Sequence, residues 1–177
     1  MKGAEPGDQL GRRAAIEVER FGAAHAAVVE RLRRGPDLIY LATHGIADAA
    51  NPMDASFLAL TNRHLYAGEI KQLAYRSYHP LVVMSACQSG LGKTFNAGVF
   101  GLARAWIHAG AAQVVASHWN VDDAATAKLM TTYIKQLRSG KVSRAALRSA
   151  MLHTRKAHPD PALWAGFNLI GYPQPRG

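Results

Sequence analysis

The chain has 177 residues, 49% of them hydrophobic and 19% charged, with one cysteine and a formal net charge of +9. That length and balance suit a single globular domain able to bury about two thirds of its surface. A lone cysteine excludes an internal disulfide and a multi-cysteine metal site. No apolar run approaches the ~18 residues of a membrane span, and MKGAEPGDQLGRR lacks a signal-peptide core, so the expectation is a cytoplasmic protein in a reducing compartment.

The charge is uneven. Residues 1–35 sum to +2, residues 36–123 to −1 and residues 124–177 to +8. A solvated helix face explains such an excess, and so does contact with an acidic partner. Nucleic-acid binding is disfavoured, because no pattern of stacking aromatics accompanies the basic residues.

In chain order, residues 9–33 read as a helix with Ala14, Ile16, Phe21, Ala24, Val28 and Leu32 on its apolar side. Gly22 weakens its middle and Gly35-Pro36 ends it. The expected organisation is an N-terminal helical segment over 1–35, the main domain over 36–173 and a tail over 174–177. DLIYLAT (37–43) is an apolar run suited to a strand buried on both faces. SFLAL (56–60) reads as a second strand, AGEIKQLA (67–74) as a short helix and PLVVMSA (80–86) as a third strand. GVFGLARAWIHAG (98–110) reads as a helix closed by Gly110, and AQVVAS (112–117) as a fourth strand. Asp122 or Asp123 caps a helix over 123–138, Ser143 caps another reaching residue 157, and WAGFNLIG (164–171) is a last strand. Strands alternating with helices predict an α/β fold with a largely parallel sheet.

Active sites of such sheets gather at the carboxyl ends of the strands. Three strand ends carry capable groups: Thr43-His44-Gly45, Ala86-Cys87-Gln88-Ser89-Gly90 and Ser117-His118-Trp119. The stretch CQSGLGKT resembles a phosphate-binding loop, but Cys87 stands where its first glycine belongs. The Lys-Thr pair should also open the helix directly, whereas Phe95-Asn96-Ala97 are expected to intervene. Nucleotide hydrolysis is therefore not favoured. A thiol nucleophile fits better, since small neighbours at residues 85, 86, 89 and 90 leave room for a substrate. A buried cysteine packing as a small hydrophobe is the structural alternative. What favours the nucleophile is His44, a base at the end of another strand, because parallel neighbours lie about 4.8 Å apart and can bring two strand ends together. His118 is disfavoured as a second base. The remaining histidines show no metal-ligand spacing, so neither metal nor cofactor is expected.

LATHG (41–45) and VVMSACQSG (82–90) closely resemble the histidine and cysteine motifs of the CHAT domain, a family grouped with caspase-, separase- and gingipain-type cysteine peptidases. NPMDASFLAL, GVFGLARAWIHAGAAQVVASHWNVDDAATAKLM and WAGFNLIGYP resemble further segments of the family in the same order, over roughly residues 20–173. The resemblance implies a three-layer caspase-like fold, with the parallel sheet flanked by helices. It implies a peptidase in which Cys87 attacks a peptide carbonyl and His44 protonates the leaving amine, with the oxyanion on the N–H groups of Gly45 and Cys87. Ser117, His118 and Trp119 would line the cleft beside a protein or peptide substrate. Asp123, or else Asp122, would meet a basic P1 side chain, the alternative being that both merely cap the helix. Family members carry further strand–helix units before the histidine strand, and often tetratricopeptide repeats. This chain shows one helix there, which reads as a short form or a piece of a longer product. An unpaired strand edge would then invite a homodimer or an activating partner such as a tetratricopeptide-repeat protein. The other functional class compatible with this pattern is a catalytically silent CHAT-like interaction module.

Overall fold

The computed structural model describes residues 16–19, 24–48, 50–85, 95–119 and 121–172. They fall into two compact units, one of Ala15–Asn120 with Phe167–Gly177, the other built on Val121–Gly166.

The first unit is α/β. Its main sheet holds β1 (Ile16–Glu19), β2 (Leu38–Ala42), β6 (Leu81–Met84), β7 (Gln113–Ser117) and β8 (Phe167–Gly171), in the order β1-β2-β6-β7-β8. The first four run parallel and β8 runs antiparallel to β7. DLIYLAT, PLVVMSA and AQVVAS, expected as strands, supply β2, β6 and β7 of the parallel part, and all five residues of β7 are buried. Helices α1 (His25–Arg33), α2 (Ala67–Lys71) and α3 (Phe95–His108) flank the sheet. Val28, Leu32, Ile39, Leu41, Val82, Trp106 and Val114 join one core. Gly110 follows α3 at φ +106°, with Tyr75 O only 2.3 Å from where a Cβ would stand. Glycine is therefore required both by the backbone and by the close approach.

Three expectations for this unit need correction. The helix expected over 9–33 is instead β1 followed by α1, with residues 9–15 and 20–23, Ala14, Phe21 and Gly22 among them, outside the described part. Ile-Glu-Val-Glu alternates β-branched and charged residues, and pairing of Ile16 with Ile39 and Val18 with Leu41 overrides helical propensity. A strand–helix unit thus precedes β2, and the sheet edge among the described residues is β1, not β2. Next, the segment SFLAL does not enter the main sheet. Its β4 (Phe57–Leu58) pairs antiparallel with β3 (Gly45–Ile46) and β5 (Leu65–Tyr66) in a separate three-stranded sheet. Finally, α3 begins at Phe95, so no residues intervene between Thr94 and the helix. The objection to a phosphate loop drawn from that gap falls away; Cys87 in place of the glycine still stands against it.

The second unit is a pair of packed helices, α4 (Asp123–Arg138) and α5 (Ser143–Ala157), followed by a 3-10 turn at Pro161–Leu163. Leu129, Met130, Tyr133 and Leu137 of α4 are buried, as are Ala146, Leu147 and Ala150 of α5. Ser143 is not the cap it was expected to be. Val142 holds the extended N-cap position, and the Ser143 hydroxyl shares a 2.7 Å hydrogen bond with the Tyr133 phenol. Trp106 is fully buried, whereas Trp164 is only partly so and lies under the Arg155 guanidinium at 5.9 Å. No helix among the described residues is long and apolar enough to cross a membrane.

Candidate active site

The ends of β2, β6 and β7 are neighbours on one edge of the sheet, and all three strands point the same way. Leu41 pairs with Met84, and the Ser85 N–H donates to Leu41 O at 2.9 Å. Val83 pairs with Val115. The three chemically capable segments singled out from the sequence therefore continue from three adjacent strands.

His44 stands two residues past the end of β2, after Thr43. Two bonds to residue 59 hold this point: the Thr43 hydroxyl donates to Ala59 O, and the Ala59 N–H donates to His44 O at 2.8 Å. Thr43 is buried, the His44 ring is half-buried and its Nε2 is shielded from water. The bond from Ala59 to His44 makes Gly45 and Leu58 a non-hydrogen-bonded pair, in which the Gly45 N–H points away from β4. That N–H is thus directed out of the small sheet. Behind it, Leu58 and Leu65 are buried and fix the strand to the core.

The loop after His44 is built by its own acids. Asp48 Oδ1 accepts from the N–H groups of Ala50 at 2.9 Å and Asn51 at 2.7 Å, shaping a turn. The Asp48 N–H donates to Ser56 Oγ at 3.0 Å, and Asp54 pairs with Lys71. Both acids thus serve the structure of this loop.

At the end of β7, Ser117 is buried, pairs with Phe167 of β8 and donates its hydroxyl to Trp119 O at 2.5 Å. Its polar groups thus shape the turn that carries His118 and Trp119. Trp119 is 39% exposed, unusually open for its size.

The two acids beyond this turn divide their roles. Asp122 is the N-cap of α4, its Oδ1 accepting from the Ala125 N–H at 2.9 Å. Asp123 is the first helical residue and is exposed, with no hydrogen bond or ion pair among the described residues. Cys87 and the rest of residues 86–94 lie outside the described residues. No group of three His, Cys, Asp or Glu side chains that could hold a metal ion occurs among the described residues. Sequence reasoning missed Thr43 and Leu58 as supports of His44. The only signal available was the apolar Leu58 and Leu65 on either side of a polar turn, a pattern open to many readings.

Comparison with known proteins agrees with this architecture. Gingipain R, an Arg-specific cysteine proteinase, superposes with a TM-score of 0.61 at 15% identity, over 86% of this chain and 36% of its own. The complex of the pro- and mature domains of Porphyromonas gingivalis RgpB gives 0.64 at 17% identity, with the same coverage. These likenesses establish a caspase-like α/β fold. Human tetratricopeptide repeat protein 28 is 39% identical over 93 residues, and the mouse protein 37%. Those residues are 51% of this chain and 4% of each relative, so the chain spans a small part of the curated proteins it matches. The CHAT domain profile matches residues 7–172, nearly the whole length, and the chain belongs to the CHAT domain family.

Proposed function

We propose that the chain is a cysteine endopeptidase working through Cys87 and His44. The observation that supports this reading most is the register of β2 and β6. Leu41 faces Met84, and His44 and Cys87 each stand three residues further along the sequence. Membership of a family with caspase-like architecture agrees with it.

The Cys87 thiolate would attack the carbonyl carbon of the scissile bond. The oxyanion so formed would accept from the N–H groups of Gly45 and Cys87. The direction of the Gly45 N–H, away from β4, suits this role. His44 would donate a proton to the leaving amine as the carbon–nitrogen bond breaks, leaving a thioester. It would then take a proton from water, which attacks the thioester; the carbon–sulfur bond breaks, the acid leaves, and the Cys87 thiolate is restored beside protonated His44. Peptide backbone would run past His118 and Trp119, with Ser117 holding their turn. Asp123 would pair with a basic P1 side chain. The capping bond is made by Asp122, which leaves the Asp123 carboxylate uncommitted, and the similar gingipain is Arg-specific. A tetratricopeptide-repeat partner is the activator this reading favours, since the curated relatives carry that name. A second copy could pair along the edge strand β1.

Peptidyl acyloxymethyl ketones with Arg, Leu or Asp at P1, read by intact mass, test the proposal. Labelling of Cys87 that requires His44 and favours Arg is expected. No labelling by any probe, alone or with a repeat-protein partner, would leave the chain as a binding module.

A further inference from the structure

We infer that the groove between α4 and α5 is a docking site for an acidic peptide segment of a partner protein. The groove encloses about 370 Å³ and is lined by Lys128, Thr131 and Thr132 of α4 and by His153, Ala157 and His158 at the end of α5. That volume lies in the range of ordinary ligand clefts.

The charges around it are one-sided. Every lysine and arginine of α4, α5 and the turn joining them is exposed, and none makes an ion pair among the described residues. Of the three acids among this unit's described residues, Asp122 is taken by the α4 cap, Asp160 accepts from the Ala162 N–H at 2.9 Å, and Asp123 stands in the first turn of α4, outside the groove lining. Uncompensated cations of this kind are complementary to carboxylates. Within the groove, His158 Nε2 is buried with no hydrogen-bond partner among the described residues. An orphaned buried nitrogen of this kind is costly until a ligand satisfies it.

Spacing favours an extended peptide. Lys128 and Lys135 lie two turns apart on one face of α4, with Thr131 and Thr132 between them. Seven residues of helix span about 10.5 Å, which matches about three residues of extended chain. Carboxylates at every third position would therefore meet both lysines. Nucleic acid fits less well, because no Phe, Tyr or Trp lines the groove to give a base a broad stacking face.

The test is fluorescence anisotropy of the full chain with a labelled dodecapeptide of four Glu-Leu-Ser repeats, its Gln-Leu-Ser counterpart and a twelve-residue oligothymidylate. The Glu peptide is expected to bind about tenfold or more tightly than either control. Lys128→Glu, in the lining, combined with Lys135→Glu, two turns along the same face of α4, should abolish that preference, while Lys156→Glu, exposed on α5 and outside the lining, should change it less than about twofold. Circular dichroism would verify that the variants stay folded. Equal binding of the Glu and Gln peptides, no binding of either, equal loss in Lys156→Glu, or tighter binding of the oligonucleotide would each overturn the inference.

Discussion

Leu41 and Met84 face each other across β2 and β6, and each stands three residues before a candidate catalytic side chain. One register pair thus aligns His44 and Cys87 in sequence count. A slip of one residue would turn each side chain to the opposite face of its strand. The packing that holds this register is consequently part of any chemistry the strand ends perform.

Leu58 is the first place to test that link. It is fully buried, pairs with Gly45 and joins the small sheet to the core. Leu58→Ala is expected to cost about 2–5 kcal/mol in urea unfolding, from lost burial and the cavity left behind. A loss below about 1 kcal/mol would mean that this sheet is not an integral support of His44.

Gly101 tests a close approach. It lies in α3, and an added Cβ would stand 2.2 Å from Pro52 O. Helical propensity alone favours alanine there by about 1 kcal/mol. The collision with backbone should win, so that Gly101→Ala lowers stability by about 1–3 kcal/mol. A rise in melting temperature would show that α3 can move away from the 50–54 turn freely.

Asp122 and Asp123 are neighbours with separable effects. Removing the Asp122 cap with alanine should cost about 0.5–2 kcal/mol. Asp123→Asn should change stability by less than about 0.5 kcal/mol, because the side chain is exposed. Under the peptidase reading it should nevertheless reduce labelling by the Arg probe about tenfold or more relative to the Leu probe. If both probes lose equally, Asp123 does not read the P1 side chain.

Tyr133 sets an alkaline limit. Burial raises its phenol to about 12, against an opposing hydrogen bond with Ser143. Between the ordinary phenol value near 10 and about 12, the unfolded chain loses this proton while the folded chain keeps it. Its contribution is whole below pH ~10 and is lost as pH rises toward ~12. Tyr133→Phe should therefore flatten the decline of stability in that window, while losing about 1 kcal/mol at neutral pH with the hydrogen bond. Tyr75, also raised by burial, keeps part of the slope. An unchanged slope in Tyr133→Phe would assign the whole effect elsewhere.

The parallel strands β2, β6 and β7 were legible because burial on both faces demands uninterrupted apolar runs, as in DLIYLAT and AQVVAS. Strands β3 and β5 were not, since two residues carry no period. Strand β1 was hidden inside a passable helical pattern, and only its pairing with β2 decides it. Ser143 looked like a cap because caps are local, while its actual partner, Tyr133, lies ten residues away. The pair Asp122 and Asp123 could not be divided from sequence, as either carboxylate can reach the helix's first amides. The direction of the Gly45 N–H depends on its pairing with Leu58, a contact no local motif encodes.

The most direct test of the dyad is the rate of Cys87 alkylation by iodoacetamide across pH, in the chain and in His44→Ala. The chain has one cysteine, so the readout is unambiguous. A thiol activated by His44 should show an inflection below the ordinary ~8.5, moving up to about 8.5 when His44 is removed. An inflection at or above ~8.5 in both proteins would contradict a working Cys87–His44 pair.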